Sequence, residues 1–108
     1  MEMTIRTNSA VITLINVFTV ERKHQQQLIQ LLKEGTETLM ATMPGYVAAS
    51  AHQSTDGRRV INYSQWRSLK DIEAMRQHPT VGPYMQRVAA LAQFEAIACD
   101  VSYVHHVG

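Results

Sequence analysis

At 108 residues the chain is about one domain long, read as a single unit over 1–108 with a short tail at 1–9. A formal charge of +1, with no basic cluster denser than Arg58-Arg59, excludes an electrostatic footprint for nucleic acid or anionic lipid. Cys99 is alone, so neither an intrachain disulfide nor a thiol pair for zinc is available, and a reducing, cytoplasmic setting is expected. The longest apolar run, Ala10 to Ile15, is interrupted by Thr13 and falls far short of the roughly 20 residues of a membrane span. The opening MEMTIRTNSA lacks the apolar core of a secretory signal.

Residues 10 to 20, AVITLINVFTV, are rich in β-branched side chains and predict a strand. One parity carries Ile12, Leu14, Asn16, Phe18 and Val20; the other carries Val11, Thr13, Ile15, Val17 and Thr19. From about Glu21 to Met43 the period becomes helical, with Leu28, Leu32, Gly35, Leu39 and Met43 on one stripe and Pro44-Gly45 as its stop. YVAASAHQ, the turn Ser54-Thr55-Asp56-Gly57 and RVINYSQW then read as a hairpin. Ser68 with Asp71 resembles a capping box opening a second helix, which His78-Pro79 breaks before it resumes beyond Gly82-Pro83. A last strand is expected at about Ala96 to Val107.

The order is β-α-β-β-α-β, a split βαβ, ferredoxin-like α+β fold with a four-stranded antiparallel sheet and its helices on one face. That arrangement buries one parity of each strand. The other parity is also apolar (Val11, Ile15, Val17, Val47, Ala49, Ala51, Ile61 and Tyr63), where a lone two-layer domain would show water a polar face. A homodimer packed sheet to sheet is expected.

Asn62 and Trp66 stand four apart and share a strand face with Val60 and Ser64. Whether His52 joins them depends on the turn. A two-residue type I′ turn at Asp56-Gly57 sets Ala51 opposite Asn62 and points His52 away. A type I turn over Ser54 to Gly57 with a bulge at Gly57 sets Ser50 opposite Asn62 and brings His52 in. The bulge is favoured, because Ser, Thr and Asp suit right-handed positions and only Gly57 must be left-handed. The helix-side face then carries Tyr46, Ala48, Ser50 and His52 beside Asn62 and Trp66, with Asn16 and Phe18 from the first strand. Small residues on the second strand and Gly35 on the helix above it predict a cavity of the kind that holds small molecules.

The hairpin HQSTDGRRVINYSQW, with the element order and the length, resembles the antibiotic-biosynthesis monooxygenase family of dimeric ferredoxin-like proteins, and most closely its cofactor-independent oxygenases of aromatic polyketide pathways. The resemblance implies oxidation of a polycyclic phenol or anthrone to a quinone by O2, with no metal or flavin. It also implies active-site roles for His52, Asn62 and Trp66, and for Asn16 on the first strand. Arg87 is the nearest candidate for the arginine of the last helix. The aromatic hydroxyl that some members supply early in the second helix is absent, since that stretch reads Leu69, Lys70, Asp71 and Ile72. The expected catalytic residues are thus Asn62, Trp66 and His52, the last as general base, with Asn16, Arg87, Tyr46, Ser50 and Phe18 as substrate contacts. The alternatives are a ligand-binding dimer without redox chemistry and a heme-degrading member. The positions of the heme branch's helix Trp and His here hold Met75 and Met85, with His78 nearby.

Overall fold

The computed structural model describes residues 2–7 and 10–107; of the expected tail, Met1, Asn8 and Ser9 lie outside the described residues. The elements are β1 (Ile12–Val20), α1 (Gln25–Thr38), β2 (Tyr46–Gln53), β3 (Arg59–Trp66), α2 (Leu69–Gln77), α3 (Val81–Ala89) and β4 (Ala92–Cys99), with short 3-10 turns flanking α1. One antiparallel sheet has the order β2-β3-β1-β4, the ferredoxin-like arrangement expected from the pattern. The second helix is broken where His78-Pro79 predicts it. Ser68 caps α2, its Oγ accepting from the Asp71 N–H at 3.1 Å.

The last strand differs from expectation. It spans Ala92–Cys99 rather than Ala96 to Val107, because its partner is β1, and pairing runs from Val20↔Ala92 to Thr13↔Cys99 and stops where β1 stops. Residues 100–107 continue without strand pairing.

The core lies between the sheet and the helices in two clusters. Phe18, Val20, Leu28, Leu32, Val60 and Val88 form one, and Leu14, Met43, Trp66, Ile72, Met75 and Val81 form the other. On β1 the boundary falls at Asn16, between Leu14 and Phe18. On β3 it falls at Asn62, between Val60 and Ser64, and Asn16 and Asn62 are direct cross-strand partners.

Gly35 does not open a cavity as the sequence suggests. A methyl group built there would overlap the Tyr84 ring, so the space above this glycine is already filled by α3. Gly35→Ala is expected to cost about 1–3 kcal/mol through overpacking, despite alanine's better helix propensity. Urea unfolding would show this, and a Tyr84→Leu background should relieve most of it. Burial pushes the Tyr84 hydroxyl from its ordinary 10.0 up to about 12, with Arg87 pulling it down and Glu34 adding to the rise. Between those values the unfolded chain ionises this tyrosine and the folded chain does not, so stability falls as pH rises past 10. In Tyr84→Phe that alkaline loss should be smaller in a melting series across the same range.

Candidate active site

The hairpin sets what the site contains. Its turn has the expected chemistry: the Gly57 N–H donates to the Ser54 carbonyl at 3.1 Å, and Gly57 has a φ of +80°. The register nevertheless differs. The Ser54 N–H reaches the Arg59 carbonyl at 3.0 Å, so Arg58 is also taken into the loop and the strands pair as Gln53↔Val60, His52↔Ile61 and Ala51↔Asn62. One residue more in the loop moves each β2 side chain near it to the opposite face.

The polar contacts that hold this arrangement are specific. The Asp56 carboxylate accepts from Ser54 Oγ at 2.7 Å and from the Arg58 N–H at 3.0 Å, while Ser54 Oγ accepts from the Arg59 N–H at 2.8 Å. Those first two bonds hold the Asp56 carboxyl below its usual range. From α1, buried Gln25 donates its amide to the Ser54 and Arg59 carbonyls at 3.1 and 2.9 Å, which pins the helix to the turn. A register shift between Tyr46 and Ala48 then restores the expected partner at Tyr46↔Trp66.

His52 and Ser50 therefore lie on the outer face of the sheet, away from the helices, as a correction to the favoured turn reading. His52 is exposed, and its Nε2 lies 3.0 Å from Ser50 Oγ. Ala49 and Ala51, expected on the outer face, are the residues beneath α1 beside Asn62. Phe18 is 1% exposed in the core against Phe94 and touches no open space. Arg87 reaches solvent on α3 and pairs with Glu34 at 4.0 Å, remote from Asn62. His52→Ala is expected to leave kcat within about threefold from pH 6 to 9, as an exposed side chain outside the groove should. Steady-state kinetics of the variant across that range check this, and a large fall in kcat would return His52 to the chemistry.

Four of the expected residues do converge. Asn16, Asn62, Trp66 and Tyr46 line a small chamber of about 40 Å³ between sheet and helices. Asn62 also lies in the floor of an open groove of about 290 Å³ between α1 and β2, walled by Leu32, Lys33, Thr36 and Glu37 above and by Ala49 and Ala51 below. Ser50 borders that groove along its strand.

The polar groups there are not equivalent. The Trp66 indole, 1% exposed and edge-on to Tyr46, donates its Nε1–H to Ser64 Oγ at 3.0 Å, and Ser64 Oγ donates to the Leu14 carbonyl at 3.3 Å. Its N–H is spent inside the protein. Asn16 and Asn62 are half-buried, and among the described residues neither amide side chain forms a hydrogen bond within the chain. Two adjacent amides with free donors on a largely apolar floor can bind the oxygens of a flat organic molecule. Among the described residues, no group of three or more His, Cys, Asp or Glu side chains could hold a metal ion.

Sequence reasoning missed Thr36, Met40 and Met75, which complete these walls. Thr36 carried a signal: it stands four residues after Leu32, where the apolar stripe of α1 admits a polar side chain.

Comparison with known proteins gives a consistent picture. A family profile described as antibiotic biosynthesis monooxygenase matches residues 11–87. The tetracenomycin-F1 monooxygenase of Streptomyces glaucescens is 38% identical over 100 residues, covering 93% of this chain and 89% of its own length. An asparagine-to-alanine variant of SnoaB, a cofactor-independent oxygenase from Streptomyces nogalater, superposes with a TM-score of 0.80 at 18% identity, over 89% of this chain and 97% of that one. The ActVA-Orf6 monooxygenase of Streptomyces coelicolor, solved with nanaomycin D, also gives 0.80, at 22% identity over 90% of this chain and 92% of that one.

Proposed function

This chain belongs to the antibiotic biosynthesis monooxygenase family, and we propose that it is a cofactor-independent oxygenase of the cytoplasm. On this reading it converts a polycyclic phenol or anthrone to a quinone with O2 in aromatic polyketide biosynthesis. The observation that carries the reading is a pair of unpartnered amides facing each other across β1 and β3, with Asn62 on the floor of a groove of about 290 Å³, near the lower end of the size range of small-molecule sites, and Asn16 in the small chamber that adjoins it. The identity to an enzyme named for tetracenomycin F1 supports the substrate class.

The chemistry asks little of the protein. O2 is a triplet and reacts slowly with closed-shell molecules until the substrate is made electron-rich by losing a proton. The resulting enolate gives an electron to O2, and the two radicals combine. Donors preorganised at the developing oxyanion favour that anion. Asn62 has this role, with Asn16 as a second donor, while Trp66 shapes the wall and holds Ser64. The apolar floor excludes water from the ring, and the proton leaves along the open groove.

The working unit is a homodimer joined through the outer sheet face. Ile61 and Ile97 are 40% and 43% exposed there, on the strand parity turned away from the helices, and a second copy would cover them. Ile61→Lys is expected to shift the protein to monomer in sedimentation; an unchanged dimer would place the interface elsewhere.

The test of the activity is O2 uptake by chelator-treated protein supplied with anthrones and quinols. Turnover at undiminished rate supports the reading. Silence across several such substrates, with tight binding of the same compounds, would make this a binding protein.

A further inference from the structure

Thr36 stands where two spaces of very different size meet. The groove of about 290 Å³ suits a ring system, the chamber of about 40 Å³ beside it does not, and Thr36, Ala49 and Asn62 line both. Ala49 and Asn62 belong to the paired strands β2 and β3, while Thr36 belongs to α1 above them. Of the three, Thr36 and Asn62 carry polar side chains. They bound the passage between groove and chamber from its two opposite layers.

The Thr36 hydroxyl is uncommitted in the fold. A threonine inside a helix usually turns its hydroxyl onto the carbonyl three or four residues back, and Thr38 on the same helix does so, donating to the Glu34 carbonyl at 2.7 Å. Thr42, in the turn that follows, donates to the Leu39 carbonyl at 2.7 Å. Thr36 is half-buried, and among the described residues its side chain forms no hydrogen bond within the chain. It interrupts the row Leu28, Leu32 and Met40, spaced by four along the helix and packed into the two core clusters. A polar side chain with no partner in such a row is placed for a ligand.

We infer that the Thr36 hydroxyl is a further donor to the substrate oxyanion, an inference that rests on the oxygenase reading above. Asn16 and Asn62 approach that oxygen from the sheet alone. An oxyanion accepts more than one hydrogen bond, and a donor on α1 meets it from the opposite side. The hydroxyl keeps its own proton throughout. The substrate's proton leaves along the open groove, and the charge left on oxygen is shared between the two layers. A water at this junction in the free protein has the same polar partners, so a substrate oxygen that replaces it keeps the hydrogen bonds it had. Since the chamber admits no ring, the reacting oxygen sits at the leading edge of the ring system.

Two variants separate the hydroxyl from the shape of the side chain. Thr36→Val keeps the branch and removes the O–H; Thr36→Ser keeps the O–H. Thr36→Val is expected to lower kcat for an anthrone by about 10- to 100-fold at unchanged melting temperature, as loss of a hydrogen bond to a charged group should, with Thr36→Ser within about threefold of the natural chain. A second readout needs no turnover. A hydroxyanthraquinone that changes colour as its phenol ionises near neutrality should, when bound to Thr36→Val, ionise about one pH unit higher or more than on the natural chain or on Thr36→Ser. An unmoved colour change or an unchanged kcat in Thr36→Val would overturn the role of Thr36 and leave the oxygenase reading standing. So would an equal loss in Thr36→Ser, which would trace the effect to side-chain shape. A colour change that depends on Thr36, with no O2 uptake from any anthrone or quinol, would overturn the oxygenase reading itself, and a catalytic Thr36 with it.

Discussion

Asn62→Ala is expected to lower kcat/KM for an anthrone by about 10- to 1000-fold, the usual cost of removing one donor from a developing oxyanion, with little change in melting temperature. The separation of the two effects follows from the geometry. Asn62 is half-buried and its side chain holds nothing else together among the described residues, so truncation breaks no bond of the fold. Its loss is felt only when a substrate oxygen is present. Asn62→Asp should be at least as damaging, since a carboxylate accepts hydrogen bonds and repels an anion where an amide donates to it. Steady-state kinetics beside calorimetry would decide the matter. Equal losses of activity and stability would make Asn62 a structural amide.

Trp66→Ala should be the mirror image, costing about 3–5 kcal/mol of stability as a large buried side chain is emptied from the core. Trp66 packs with Ile72, Met75 and Tyr46 and is 1% exposed. The informative variant is Trp66→Phe, which keeps a ring but removes the N–H that serves Ser64. It should cost about 1 kcal/mol for the lost hydrogen bond, plus the volume change, and little in kcat. If Trp66→Phe instead lost as much activity as Asn62→Ala at unchanged stability, the indole would be a direct substrate contact.

Much of the fold was legible because its signals are local. The switch of hydrophobic period after β1, the stop at Pro44-Gly45, the Ser68 cap and the break at His78-Pro79 each act within a few residues. The strand faces of β1 and β3 were legible for the same reason, so Asn16, Asn62 and Trp66 were placed correctly. His52 and Ser50 were not, because their face depends on whether Arg58 belongs to the loop or to the strand. That choice is made by Gln25, which is nearly thirty residues from the turn and grips its two carbonyls at Ser54 and Arg59. Gly35 failed similarly: its partner, Tyr84, is on another helix. The end of β4 was missed because β1, not the apolar alternation of the tail, sets how far pairing can run.

The amide row between the two core clusters has an evolutionary cost. Leucine at Asn16 and Asn62 would join Phe18 and Val60 to Leu14 and Trp66 in one continuous interior, and such a chain should withstand more urea than the natural one. A selection for stability alone would therefore find these two positions early, and on the oxygenase reading proposed above it would remove the donors that reading needs.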